Sequence, residues 1–329
     1  MAVQSISLHA FREDLPGPRW RALYRATWPG YRSWYVRPGT GRRPTVDEAE
    51  AALVRHMPEL HAAWRRLVKL AGGDDTTAAM LTHWNMPAFA PACSQAVVTT
   101  GTRALIRNYD YDPALFEQIV MSTRLTGRQV IGTSDCLWGL LDGMNSDGLA
   151  ASLTFGGERG SGPGFGIPLV VRYLLEVAEN VDEALAALRR LPVSMSYNIT
   201  LTDRTGQSAT AYVAPGRPME ARSVALATNH HFDGPDDAEH ARRYRSVERH
   251  DHLSGLLRDQ PHPDELAREF VRQPLRSEDY AAGFGTLYTA DYRPDAGEVH
   301  YRWPGTTWTR TFESTDAEIR IDVPAGSSP

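Results

Sequence analysis

PACSQAVVTTGTRALIRNYDYDP, residues Pro91 to Pro113, is the stretch on which the reading of this chain turns. Cys93 follows a small alanine and precedes Ser94. Ala96, Val97 and Val98 then run to a turn at Gly101, and Leu105 and Ile106 return into Arg107, Asn108 and Asp110. Short apolar, β-branched runs on either side of a glycine predict a β-hairpin. A cysteine opening such a hairpin is either a small buried hydrophobe or a nucleophile. If the hairpin folds back on itself, Arg107 and Asp110 approach the thiol. An arginine there favours the thiolate, and a carboxylate can orient an amine.

Upstream the texture is helical. Trp20, Leu23, Tyr24, Trp28 and Tyr31 recur at three-to-four spacing, and Thr45 with Glu48 forms a capping box that opens a helix stopped by Gly72 and Gly73. TTAAMLTHWNM adds a further turn or two before Pro87 and Pro91 introduce Cys93. Downstream, RQVIGTSDCLW and GLAASLTF read as strands, and YNITLTD with QSATAYVAP as a second hairpin. IPLVVRYLLEVAE, NVDEALAALRRLP with Asn180 as its cap, and an Arg-rich HARRYRSVERHDHLSGLLR read as helices. Antiparallel strand pairs with helices between the clusters predict an α+β layered fold.

With 329 residues, 42% of them hydrophobic, the chain has the length and composition for a large core. A net charge of -5, with arginines interspersed among acids, offers no basic surface for nucleic acid. Lys69 is the sole lysine, which argues against a catalytic lysine. Two cysteines, Cys93 and Cys136, cannot make a disulfide framework, and the start MAVQSISLHAFRED has no apolar signal region, so a reducing cytoplasm is the expected compartment. No window approaches the roughly 18 apolar residues of a membrane span, and no membrane partner is expected.

A nucleophilic cysteine needs a base. The histidines show no pattern of a Cys-His pair, and His230, His231, His250 and His252 lack the spacing of a metal site, so no metal and no cofactor is expected. One arrangement supplies a base without histidine: the nucleophile becomes the first residue of a chain, and its own α-amine, with a reference pKa of about 7.7–8.0, moves the proton. An internal Cys93 reaches that state by cleavage of the bond between Ala92 and Cys93.

Six runs in order, CSQAVV to RNYDYDP, CLWGLLDGMNSDGLAASLTF, GFGIPLVVRYLLE, MSYNITLTDRTG, LATNHH and SVERHDHLSGLL, resemble the isopenicillin N acyltransferase-like branch of the N-terminal nucleophile hydrolases. The chain is more distantly similar to choloylglycine hydrolases and penicillin V acylases. That resemblance implies a four-layer αββα sandwich. Residues 1–92 would be a helical pro-segment, freed by cleavage yet retained as an α chain, and residues 93–329 the catalytic β chain. It places Cys93 on the nucleophile, Arg107 and Asp110 on an Arg-x-x-Asp pattern, and Asn145 and Asn229 on oxyanion-side asparagines. Arg249, or its neighbours Arg243 and Arg245, falls on a late arginine.

The implied activity is that of a cysteine amidohydrolase or acyltransferase that takes a small linear amide or acyl-thioester through a thioester at Cys93, the two cleaved chains forming a heterodimer. The alternative is an uncleaved, non-catalytic binding or scaffold protein of the same fold. Each residue also has a structural reading. Asn145 and Asn229 suit turns or strand ends, Arg107 and Asp110 could pair with each other, and Cys136 suits a core.

Overall fold

The computed structural model describes residues 3–39, 41–89 and 92–324. The first described element is a strand, β1 (Val3–Arg12), followed by the α-helices α1 (Pro18–Tyr35), α2 (Val46–His56), α3 (His61–Ala71) and α4 (Asp75–Leu81). The expected capping box is present, with the Thr45 hydroxyl on the Glu48 amide and the Glu48 carboxylate on the Thr45 amide. Gly72 ends α3 in the left-handed conformation that a side chain would resist.

The hairpin of the opening stretch forms as β2 (Ala92–Val98) and β3 (Ala104–Tyr111). Then come β4 (Ile119–Thr123), β5 (Val130–Asp135), β6 (Gly139–Asn145) and β7 (Leu149–Phe155), and the helices α5 (Ile167–Val177) and α6 (Val181–Leu188). The second expected hairpin is β8 (Tyr197–Asp203) with β9 (Ser208–Val213), followed by the short strands β10 (Glu220–Arg222) and β11 (Leu226–Ala227). Helices α7 (Ala238–Arg243), α8 (Ser246–Arg258) and α9 (Pro263–Phe270) lead into β12 (Glu278–Asp279), β13 (Phe284–Arg293), β14 (Glu298–Trp303), β15 (Thr306–Thr311) and β16 (Ala317–Pro324).

Two sheets result. One runs β10-β9-β8-β7-β6-β5-β4-β1-β16; the other runs β11-β2-β3-β13-β14-β15, with β12 on β13. β2 and β3 face β7 and β8 across the inter-sheet core. Helices α5 and α6 cover the outer side of the first sheet, and α8 and α9 cover the second. This is the expected four-layer α+β sandwich, with the nucleophile candidate on β2, one strand in from the edge strand β11.

Two expectations change. Residues 1–92 are not helical throughout: β1 pairs antiparallel with β16, Val3 opposite Pro324, and parallel with β4, His9 opposite Ile119. The alternation Ile6, Leu8, Ala10 buries one face of that strand. The Arg-rich helix is also two helices, broken at Tyr244–Arg245, where Arg245 takes φ 51°. Among the described residues, no helix is long and apolar enough to cross a membrane.

Candidate active site

Strand parity sets out the site. Cys93 stands opposite Tyr109 and Gln95 opposite Arg107, and directly opposed residues share a face. That face looks between the sheets, where the Ser152 hydroxyl of β7 donates to Gln95 Oε1. Asp110 lies on the other face with Asn108, whose amide donates to Phe270 O on α9. Arg107 and Asp110 are three residues apart, an odd number, so β3 sends them to opposite sides. They do not pair with each other.

Arg107 is fully buried and bridges Cys93 to β6. Its Nη2 donates to Cys93 Sγ at 2.9 Å, and its Nη1 reaches Asp142 Oδ2 on β6 at 2.5 Å and Leu141 O at 3.2 Å. Asp142 also accepts hydroxyl hydrogen bonds from Thr133 at 2.8 Å, Tyr288 at 2.6 Å and Tyr292 at 2.5 Å. A buried charge pair holds when its remaining lone pairs are satisfied in this way.

Asp110 faces the helix layer. Its Oδ2 lies 3.4 Å from Arg249 Nη1, and its Oδ1 accepts from the Thr286 hydroxyl at 2.6 Å. Arg249 reaches round to Cys93, donating from Nη1 to Cys93 O at 2.6 Å and from Nη2 to Asn229 Oδ1 at 2.9 Å. The break between α7 and α8 makes this possible. It frees the Tyr244 carbonyl to accept from Arg249 Nε at 3.0 Å and Nη2 at 2.8 Å. Of the three candidates, Arg243, Arg245 and Arg249, it is therefore Arg249 that reaches Cys93. Arg245 pairs with Glu248 at the surface, and Arg243 lies over the Tyr244 ring.

Asn229 turns its side-chain oxygen to the backbone of the cysteine: Cys93 N donates to Asn229 Oδ1 at 2.9 Å. The Asn229 amide N–H is fixed in turn by the Ser246 hydroxyl at the start of α8, at 2.8 Å. Asn145 is placed differently. It lies three residues beyond Asp142 on β6 and so faces the outer helix layer, where Nδ2 donates to Leu175 O at 3.0 Å and Ala178 O at 2.7 Å. Its Oδ1 accepts from the amides of Asp147 and Leu149. Both of its amide hydrogens are committed to backbone carbonyls, which is the turn-asparagine role and not that of an oxyanion donor.

At Cys93 the expected pull of the arginine is present but is opposed by a larger effect. Burial pushes the Cys93 thiol up to about 11, outweighing the downward pull of Arg107, so the thiol of the intact chain is neutral near pH 7. Burial likewise pushes Asp110 up to about 6 against the pull of Arg249 and Thr286.

The structure also adds residues that the sequence reading passed over. Asp142 is a lone charge inside the apolar run LLDGM, and such a residue in a buried strand needs a partner. Ser246 and the hydroxyls of Thr286, Tyr288 and Tyr292 carry no local signal. Cys136 is buried in the turn between β5 and β6, at φ 56°. Among the described residues, no cluster of three or more His, Cys, Asp or Glu side chains could hold a metal ion.

A family model described as acyl-coenzyme A:6-aminopenicillanic acid acyl-transferase matches residues 97–308. The match takes in Arg107, Asp110, Asp142, Asn229 and Arg249 and begins just past Cys93. No curated protein sequence matches the chain. Among solved structures, penicillin V acylase from Agrobacterium tumefaciens is 14% identical with a TM-score of 0.46, covering 66% of this chain and 84% of that one. A variant of conjugated bile acid hydrolase from Clostridium perfringens is 12% identical with a TM-score of 0.45, over 72% and 99% of the two chains.

Proposed function

The chain belongs to the acyl-coenzyme A:6-aminopenicillanic acid acyl-transferase family, and from that premise we propose that it is a self-cleaving cysteine amidohydrolase or acyltransferase with Cys93 as nucleophile. The observation that carries this reading is the convergence on one residue: Arg107 on its Sγ, Asn229 on its N and Arg249 on its O. Any buried residue needs its backbone groups satisfied, but packing alone does not call for a guanidinium on the sulfur.

In the self-cleavage, Cys93 Sγ attacks the Ala92 carbonyl carbon. The peptide C–N bond breaks, a thioester forms, and the thiol proton ends on the departing nitrogen, which Asn229 Oδ1 already faces. Water then hydrolyses the thioester. The freed α-amine supplies the base that a thiol at about 11 lacks. In turnover, the same sulfur attacks a linear amide or acyl-thioester and passes the acyl group to water or an amine. Arg107 stabilises charge at sulfur, while Asp110 and Arg249 hold Asn229 and the Cys93 backbone in register. Asn145 has no part in these steps, its hydrogens being engaged elsewhere.

Residues 1–92 stay bound after the cut, as one chain of a heterodimer, because β1 is built into the sheet between β4 and β16. The test is an intact mass spectrum of purified protein together with labelling by a thiol electrophile. Two masses, 1–92 and 93–329, with label on the second support the reading. One unlabelled mass for protein that still turns over an amide sinks it. The fully buried, neutral thiol of the intact chain favours a second reading, an uncut binding protein of this fold; one unlabelled mass and no turnover would select that.

A further inference from the structure

His240 on α7 is buried, 1% exposed, and neither of its ring nitrogens has a hydrogen-bond partner among the described residues. Among those residues it is the only histidine so placed; His83 and His252 each leave one nitrogen unpartnered. A neutral imidazole has one N–H to donate and one nitrogen to accept, and native interiors seldom leave both unused. Burial, with Arg159 next and Arg249 and Arg243 adding, pushes this ring down to about 4 against the upward pull of Asp237, so it is neutral at ordinary pH.

Its neighbours are those of the active site. The His240 ring lies 5.0 Å from the Phe155 ring and 4.5 Å from the Tyr244 ring. Phe155 O accepts from Asn229 Nδ2 at 3.3 Å, and Tyr244 O holds Arg249, so His240 stands one residue behind two groups that touch Cys93. The rings continue on the other side. Phe155 meets Tyr197 edge-on at 6.2 Å, and Tyr197 meets Phe89 at 6.2 Å while its hydroxyl donates to Phe89 O at 3.1 Å. Phe89 precedes the Ala92–Cys93 bond and is thus on the acyl side of that bond. Phe89 packs at one end of an aromatic row, Phe89-Tyr197-Phe155-His240, in which His240 carries the unused polar atoms.

We infer that His240 is a specificity-determining residue that hydrogen-bonds a polar substituent on an aromatic acyl group laid along this row. The inference rests on the proposed acyl chemistry at Cys93. Apolar walls with one or two placed polar groups are how small-molecule pockets choose orientation. Discrimination follows because a substrate lacking the substituent leaves the imidazole unpaired.

The probes are hydrocinnamamide and its para-hydroxy derivative. Wild type is expected to favour the hydroxylated amide by about tenfold in kcat/KM, the scale of one neutral hydrogen bond. The ratio should collapse toward unity in His240→Phe and recover in His240→Gln, which keeps a donor and an acceptor. A purely packing role would move stability and not this ratio. In parallel, nitrogen NMR of the His240 ring in wild type should shift on adding para-hydroxybenzylacetone, which has the same acyl side and no leaving amine, but not benzylacetone. Equal turnover of both amides would overturn the inference and leave the acyl chemistry standing. A ring shift without turnover of either amide would overturn the acyl chemistry and with it the specificity role, leaving His240 a ligand-binding residue only. Neither shift nor turnover would overturn both.

Discussion

Arg107 and Asp142 join the two sheets through one buried charge pair, Nη1 to Oδ2 at 2.5 Å, with both side chains fully removed from solvent. Arg107 comes from β3 and Asp142 from β6, and the other guanidinium nitrogen holds the Cys93 sulfur. Asp142→Asn leaves that guanidinium buried without its counter-charge, a change that costs about 3–5 kcal/mol. Urea unfolding in a Cys93→Ala background, where cleavage cannot confuse the measurement, should show a loss of that size. Arg107→Lys should keep most of the stability yet slow self-cleavage, because one ammonium cannot replace a planar fork that spans Asp142 and Cys93. A loss under about 1 kcal/mol for Asp142→Asn would mean that the pair does not hold the sheets.

Retention of the first 92 residues after cleavage is predicted to depend on β1. Ile6 and Leu8 are buried between strands that belong to the other chain once Ala92–Cys93 is cut. Leu8→Asp places an unpaired charge in that core. Gel filtration should then show residues 1–92 separating from 93–329, whereas the cut wild type elutes as one species. Co-elution of the Leu8→Asp chains would assign retention to the helices alone.

Locality decided what the sequence disclosed. The hairpin at Gly101, the Thr45 capping box and the Asn180 cap are set by neighbours a few residues apart, and each formed as read. β1 was hidden although Ile6, Leu8 and Ala10 alternate, because its partner in β16 lies more than 300 residues away, Val3 opposite Pro324. The break that brings Arg249 to Cys93 falls at an arginine with positive φ, where glycine would have announced it. The sequence offers Arg107 and Asp110 as candidates beside Cys93, but their partners come from different layers. Strand parity alone separates them; which layer each would meet is a property of the assembled sandwich. Asn145 shows the opposite failure: its motif pointed to the site, and the parity of β6 turned it to the helices.

Asp110 should set the acid limb of the pH–rate profile. Its carboxyl, pushed up to about 6 by burial, must be ionised to hold Arg249, which in turn holds the Cys93 carbonyl and Asn229. The rate is expected to fall as pH drops through about 6, and Asp110→Asn should be slow at every pH with that limb gone. For stability the sign is the reverse. A carboxyl raised in the folded state contributes stability fully present below its unfolded value near 4 and lost as pH rises through about 6. A limb near 6 that persists in Asp110→Asn would assign it to another group.

An acidic pair, Glu117 and Asp135, locks the N-terminal segment to the rest. The Tyr31 hydroxyl on α1 lies 2.8 Å from Glu117 Oε1 and 2.9 Å from Asp135 Oδ1, and the amides of Leu137 and Cys136 point at the same two carboxyls. Burial raises both carboxyls, and Asp135 raises Glu117 further. The stability they contribute is greatest below the ordinary carboxyl range and declines as pH rises through their raised values. The melting temperature should fall over that window, and Glu117→Gln should flatten the dependence. Tyr31→Phe should cost about 1–3 kcal/mol, the effect of leaving buried acceptors short of a donor. A melting curve for Tyr31→Phe matching wild type at every pH would show that the hydroxyl secures nothing.

In the proposed mechanism, the fate of the acyl group turns on what reaches the thioester. Water attacks any site that does not exclude it, whereas transfer needs an amine held in place. A cleft of about 700 Å³ opens between β9, β10 and the loop that begins two residues after Asn229, and its walls carry Glu220, His231 and Asp233 beside Arg217. That volume exceeds the need of a water molecule, and the acids would draw an amine bearing a second, cationic group. We therefore expect hydrolysis in amine-free buffer and a saturable diversion to transfer when a diamine is titrated against a fixed acyl donor. Glu220→Gln with Asp233→Asn should raise the diamine concentration at half saturation. If the product ratio instead climbs linearly with diamine and is the same in the double variant, the amine arrives from bulk solvent, and the enzyme is a hydrolase with no acceptor site in this cleft.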